Sequence, residues 1–104
     1  MIKKIAIAAS ISVMISGAAM ASDGEAIYKK VCKGCHASGM MGAPKVGDAA
    51  DWGARAEKGM DKLNEHAIKG FKGKKGFMPP KGGRGSLSDD DVKAAVAYMV
   101  EHSK

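Results

Sequence analysis

Cys32, Cys35 and His36 are the residues of this chain best placed to do chemistry together. Two thiols three positions apart, followed at once by an imidazole, have the spacing of a covalent attachment site for c-type haem: Cys32-Lys33-Gly34-Cys35-His36. Each thiol can add to one vinyl group of a porphyrin to form a thioether, and the next residue then lies beneath the iron as an axial ligand. A second axial ligand must come from elsewhere in the chain, and it helps to set the iron's potential. Other uses of paired cysteines fit less well. A thioredoxin-like pair expects a βαβ pattern, and no alternating apolar strand is visible. A zinc site needs further ligands at matching spacing, and only the isolated His66 and His102 remain. A structural disulfide would leave His36 without a reason.

The candidates for the second ligand are Met40, Met41, Met60, Met78, Met99, His66 and His102. Met40 and Met41 follow His36 too closely to reach easily around a porphyrin, and they read as packing residues. Met60 precedes a predicted helix and Met99 lies on the inward face of another. His66 sits within a predicted helix, where a lone histidine is more often a surface or packing residue, and it is held in reserve. Met78 differs from all of these. It stands in Phe77-Met78-Pro79-Pro80, inside a run from Gly70 to Gly85 with six glycines, two prolines and no acid. Such a run is expected to form neither helix nor regular strand. The prolines stiffen the backbone just after a soft, neutral thioether.

Further residues are expected around the cofactor. A ligating histidine normally donates its Nδ1 proton to a carbonyl, which fixes the ring's orientation. The Pro44 carbonyl, in the glycine-punctuated loop after His36, is the candidate acceptor. Trp52 and Arg55 are three apart on one helix face, and both are donors suited to a haem propionate. Core filling for Trp52 and a solvated charge for Arg55 are the competing readings.

The elements that position these groups are helical. Ser22 and Glu25 have capping-box spacing, and Ile27, Tyr28, Val31 and Cys32 form an apolar stripe leading into the cysteine motif. Gly24 costs helix propensity, which a close helix crossing would explain. Short helices follow from Ala49 to Lys58 and from Asp61 to Lys69, the latter with Leu63, Ala67 and Ile68 inward and a stop at Gly70. Leu87-Ser88-Asp89-Asp90-Asp91-Val92 is a strong helix start, with Ser88 as cap and Leu87 stapling to Val92. That last helix runs to about Glu101. Its face of Val92, Ala95, Val96 and Met99, with Tyr98 beside it, should cross the first helix near Gly24 and Tyr28.

The chain has 104 residues, enough for one small domain. Its first stretch reads as an address. Lys3 and Lys4 precede an apolar run from Ile5 to Ile15, and Ser16-Gly17-Ala18-Ala19-Met20-Ala21 ends in small residues. This is the pattern of a secretory signal peptide, residues 1–21. The run is shorter than the ~20 apolar residues that span a bilayer. Cleavage after Ala21 leaves residues 22–104 as the domain, a length at which burial gives only a marginal core. A covalently held apolar macrocycle would complete it, and export to a bacterial periplasm suits haem attachment. Without Lys3 and Lys4 the 17 basic residues become 15 against 11 acids, about +4. That charge suggests an acidic protein partner or weak attraction to an anionic membrane surface, and is too small to argue nucleic acid.

An N-terminal helix ending in Cys-x-x-Cys-His, a late Met-Pro loop and a capped C-terminal helix resemble class I cytochrome c. Gly42-Ala43-Pro44-Lys45, Trp52, Arg55 and Phe77-Met78-Pro79-Pro80-Lys81-Gly82-Gly83 look most like its short bacterial c-five branch. The resemblance implies an all-α fold of about four helices wrapped around one covalent haem c. It also implies His36 and Met78 as axial iron ligands and Pro44 as the backbone partner of His36. With only two cysteines, the additional disulfide found in part of that branch is absent. The expected function is a soluble periplasmic electron carrier, not an enzyme, whose docking face is formed by Lys69, Lys72, Lys74, Lys75, Lys81 and Lys33. The rival readings are a gas-binding haem protein and a subunit of a larger periplasmic dehydrogenase or terminal oxidase.

Replacing Cys32 or Cys35 by Ala is expected to lower covalent haem sharply and to leave little folded protein, because the marginal core loses its anchored centre. Haem staining after denaturing electrophoresis decides it: normal haem content in both variants rules out the attachment assignment.

Overall fold

The computed structural model describes residues 23–74 and 76–104. The expected leader, residues 1–21, and the expected cap Ser22 lie outside them. Helix α1, Gly24–Ile27, is capped by Asp23, whose Oδ1 accepts from the Ala26 N–H at 3.1 Å. Asp23 therefore takes the role expected of Ser22, because its carboxylate also favours the positive end of the helix. The backbone continues without a break through a π-helical turn, Tyr28–Cys32, into α2, Lys33–His36. The Lys33 N–H bonds back to the Tyr28 carbonyl, one residue further than in an α-helix. Cys32, Cys35 and His36 thus stand three and four apart at the end of one N-terminal helix, on a common face.

Helix α3, Ala49–Ala56, is capped by the Asp48 carboxylate, which accepts from the Asp51 N–H at 3.1 Å. Helix α4, Met60–Lys69, stops at Gly70, whose φ of 90° only glycine adopts without strain. The glycine-rich run then departs from expectation. Strands β1, Phe71–Lys72, and β2, Phe77–Met78, form a two-residue antiparallel ladder, with Phe71 opposite Met78 and Lys72 opposite Phe77. A 3-10 turn follows at Pro80–Gly83. The glycines do not forbid a ladder here because they stand outside the paired positions. Gly73 and Gly76 close the hairpin through a 2.9 Å backbone bond.

Helix α5, Asp89–Glu101, begins with a capping box: Ser88 Oγ accepts from the Asp91 N–H at 3.0 Å and Asp91 Oδ2 accepts from the Ser88 N–H at 3.3 Å. Its buried face of Val92, Ala95, Val96 and Met99 meets the N-terminal helix. Tyr28 and Tyr98 pack there with ring centroids 5.3 Å apart. The core is completed by Trp52 from α3 and Ala67 from α4, with Leu63, Ile68, Met78 and Leu87 packed against it. Among the described residues the four helices, counting residues 24–36 as one, surround a cavity rather than a solid centre.

The helix crossing depends on Gly24. A Cβ at this position would overlap the Ala94 carbonyl, backbone that cannot give way cheaply. Gly24→Ala brings a helix-propensity gain of at most ~1 kcal/mol, set against an overpacking cost of about 1–3 kcal/mol. The overpacking is expected to win, so Gly24→Ala should lower stability. Denaturant unfolding of the holoprotein checks the sign, and a variant as stable as the parent would show that the two helices are free to separate.

Candidate haem site

The cavity has a volume of about 290 Å³, at the lower end of the ~300–1,000 Å³ typical of cofactor clefts. Cys32, Cys35 and His36 line one side and Met78 also borders it, with Trp52, Leu63, Ala67, Val96 and Met99 among the walls. These residues come together from five elements: the N-terminal helix, α3, α4, β2 and α5. The N-terminal helix ends at the cavity with the cysteine motif, while β2 brings Met78 opposite Phe71 and against the core.

His36 is 7% exposed. Its Nδ1–H donates to the Pro44 carbonyl at 2.9 Å, which leaves the lone pair on Nε2. Burial lowers the pKa of the ring from its ordinary value, the Pro44 bond opposes this, and the positive Arg55 adds to the lowering. This lowering favours the neutral imidazole, the state a metal requires. Burial pushes the Cys32 thiol up to about 11. A protonated, apolar-walled thiol is a poor redox nucleophile, contrary to what a thioredoxin-like pair needs. Among the described residues no three His, Cys, Asp or Glu side chains gather as a metal cluster, and no disulfide joins Cys32 to Cys35. An apolar cleft with two thiols, the buried His36 imidazole and the Met78 thioether among its lining is chemically matched to a haem held by thioethers.

Trp52 and Arg55 both line this cavity. The Trp52 indole N–H donates to the Lys45 carbonyl at 2.9 Å, and its buried ring lies 5.9 Å from that of His36. That bond holds the 44–47 segment and supports the core-filling reading of Trp52. Arg55 is half-buried, its Nε 2.8 Å from Asp51 Oδ1, rather than a solvated charge. His66 also borders the cavity, its ring stacked on Phe71 at 4.3 Å.

Met40 and Met41 are 57% and 53% exposed on a 3-10 turn, Met40–Gly42, in which Met41 has a φ of 58° and borders the cavity. The hairpin presses on this turn from outside, since a Cβ on Gly76 would overlap the Met41 carbonyl. Lys81 is not part of a free basic face either. It too is left-handed, with φ 55°, and its Nζ donates to the Leu87 carbonyl at 2.7 Å and pairs with Asp89 at 3.2 Å. Lys69 pairs with Glu65 at 3.6 Å, and Lys75 lies outside the described residues.

Sequence reasoning missed Ser103. Its side chain is buried at 2% exposure, and its Oγ accepts from the Gly47 N–H at 2.9 Å across 56 positions of chain. A serine next to the last residue carries no local pattern to suggest burial.

Residues 19–99 match the protein-family model described as cytochrome c oxidase, cbb3-type, subunit III. A cytochrome c-555 of Chlorobaculum tepidum is 52% identical over 96 residues, 89% of this chain and 89% of that one. A cytochrome c5 of Azotobacter vinelandii is 41% identical over 81 residues, 76% of this chain and 93% of its own length. This chain belongs to the small class I c-type cytochromes. Its backbone agrees, with a TM-score of 0.70 and 39% identity, covering 79% of this chain and 95% of the other, to the cytochrome in a crystal structure of an electron transfer complex of nitrite reductase with cytochrome c. The all-α cytochrome c fold expected from the sequence is thereby established, with one covalently bound haem c and its iron as cofactor. Relatives of this kind are electron carriers and not enzymes.

Proposed function

We propose that this cytochrome is a periplasmic carrier of single electrons, exported by a signal peptide over residues 1–21 and active as the domain 22–104. In this reading Cys32 and Cys35 hold the haem, and His36 and Met78 are its axial ligands. The observation that carries it is the meeting, at one apolar cavity, of the cysteine motif and a methionine 42 positions beyond His36 in the chain. The bound haem supplies a reversible ferrous–ferric couple. The chain's own residues hold the ring, keep water from its apolar faces, present a neutral imidazole whose proton is placed on Nδ1, and leave one edge near solvent. A Met/His pair would raise the potential and leave no open position on the iron, which suits outer-sphere transfer rather than substrate or gas binding. Since the family model carries the name of an oxidase subunit, association with a terminal oxidase is a second reading. The relatives' similar length favours a free carrier, and co-purification separates the two.

Partners in this reading are redox proteins with acidic docking surfaces. Met41, Phe71 and Phe77 border the cavity with exposures of 53%, 38% and 49%, and Met40 adjoins Met41. Lys72 and Lys74 are exposed beside them on the hairpin, and Lys33 is exposed next to Cys32. The docking face so composed is an apolar spot with a basic margin. Lysines of this kind steer encounter, whereas flexible methionines adapt to different apolar surfaces.

Ferrous wild-type protein is expected to exclude carbon monoxide at neutral pH, and Met78→Ala to admit it with loss of the weak near-infrared band of sulfur-to-iron charge transfer. Ready binding by the wild type, together with absence of that band, would transfer the lead to the gas-binding reading.

Electron exchange with a gold electrode bearing carboxylate-terminated chains should slow as salt rises. Lys72→Gln combined with Lys74→Gln should lower the low-salt rate and flatten that dependence, measured by voltammetry. A double variant with the wild-type salt slope would remove these two lysines from the docking face.

A further inference from the structure

We propose that Ser103 is a positioning residue for the axial histidine, acting from the C-terminus through the segment 44–47. The inference rests on His36 being an iron ligand.

The segment lies between the 3-10 turn and α3 and has no ladder of its own. Each of its residues is instead held from outside. The Pro44 carbonyl receives the His36 Nδ1–H at 2.9 Å, and the Val46 N–H donates to the His36 carbonyl at 2.8 Å. Those two bonds fix the segment to the histidine. Two others fix it to the rest of the fold: the Lys45 carbonyl receives the Trp52 indole N–H, and the Gly47 N–H donates to Ser103 Oγ, both at 2.9 Å. The bonds therefore alternate along four consecutive residues between the ligand and its anchors.

Trp52 is explained twice over, as a cavity wall and a core residue. Ser103 is not. It borders no part of the cavity, yet it is among the most buried side chains of the described residues. Its place is held by a 3.1 Å bond from its own N–H to the Val100 carbonyl, and its neighbour Lys104 pairs with Glu101 at 3.2 Å. The end of α5 is thus tied down with the hydroxyl facing Gly47. Gly47 itself has a φ of 100°, a conformation open to glycine, and the 2.9 Å bond restrains the turn there.

The consequence concerns the iron. A firmly placed carbonyl on Nδ1–H draws the proton away from the ring and makes the imidazole a stronger electron donor, which stabilises ferric over ferrous iron. Freeing Gly47 loosens the Pro44 carbonyl, weakens that donation and raises the potential. Ser103 lies outside the cavity lining and works only through the segment.

The test compares Ser103→Thr, which keeps the hydroxyl, with Ser103→Val, which has nearly the same shape without it, in the full haem-loaded protein. Ser103→Ala is read in parallel and decides the matter if the valine variant folds poorly. The valine and alanine variants should have a more positive reduction potential. Their His36 Nδ1–H should exchange with deuterium faster by roughly five- to tenfold, as expected when one hydrogen bond restraining a local opening is lost. The threonine variant should stay near wild type in both. If loss of the hydroxyl lowers the melting temperature but leaves potential and exchange unchanged, Ser103 is merely structural and the proposal is overturned. An identical change in the threonine variant overturns it as well. Failure of the underlying reading is visible separately, because wild-type protein would then lack the strongly shifted His36 ring resonances of an iron ligand.

Discussion

The bond from His36 Nδ1 to the Pro44 carbonyl is the constraint around which the site is assembled. It sets which nitrogen keeps its in-plane lone pair, and so which edge of the ring could meet iron. A buried imidazole has no water to perform that task. The carbonyl in turn has to be held by something stiffer than a loop. Helix α3 supplies Trp52 and the end of α5 supplies Ser103, so two helices distant in sequence converge on four residues of irregular backbone.

A domain this small buries too little apolar surface to be generous with space, and yet it keeps a cavity of about 290 Å³ between its helices. The covalent haem resolves that tension by serving as the core. The close crossing of the N-terminal helix with α5 follows from the same economy. With few large side chains available, the backbones approach until Gly24 lies against the Ala94 carbonyl, and Tyr28 stacks beside Tyr98.

Departures from regular backbone gather at the cavity's open edge. Met41 and Lys81 both adopt left-handed conformations that cost non-glycine residues free energy. Lys81 recovers it through its bonds to the Leu87 carbonyl and Asp89, which tie the turn after Met78 to the start of α5. Met41 has no such bond and turns its side chain outward at the cavity's border. One strained residue thus stabilises the loop that carries the methionine, while the other exposes apolar surface where a partner would meet the haem.

The local chemistry of this chain was legible in its sequence because each signal is short-range. The cysteine motif depends on spacing within one helix turn, the start of α5 on Ser88 and Asp91 three positions apart, and the stiffness around Met78 on its neighbouring prolines. Helix ends shifted by a residue or two because caps compete locally, as Asp23 did with Ser22. The family resemblance extended this reading to the fold. Tertiary structure alone decided where the donors went. The Trp52 N–H, which the sequence left between a propionate and the core, meets the Lys45 carbonyl, and Lys81, read as a docking charge, meets Leu87 and Asp89. Met40 and Met41 looked like core because methionine is apolar, but the left-handed turn at Met41 leaves both exposed. Ser103 shows the limit most clearly. A hydroxyl's partner is whatever the fold brings within about 3 Å, and across 56 positions of chain only the packed helices determine what that is.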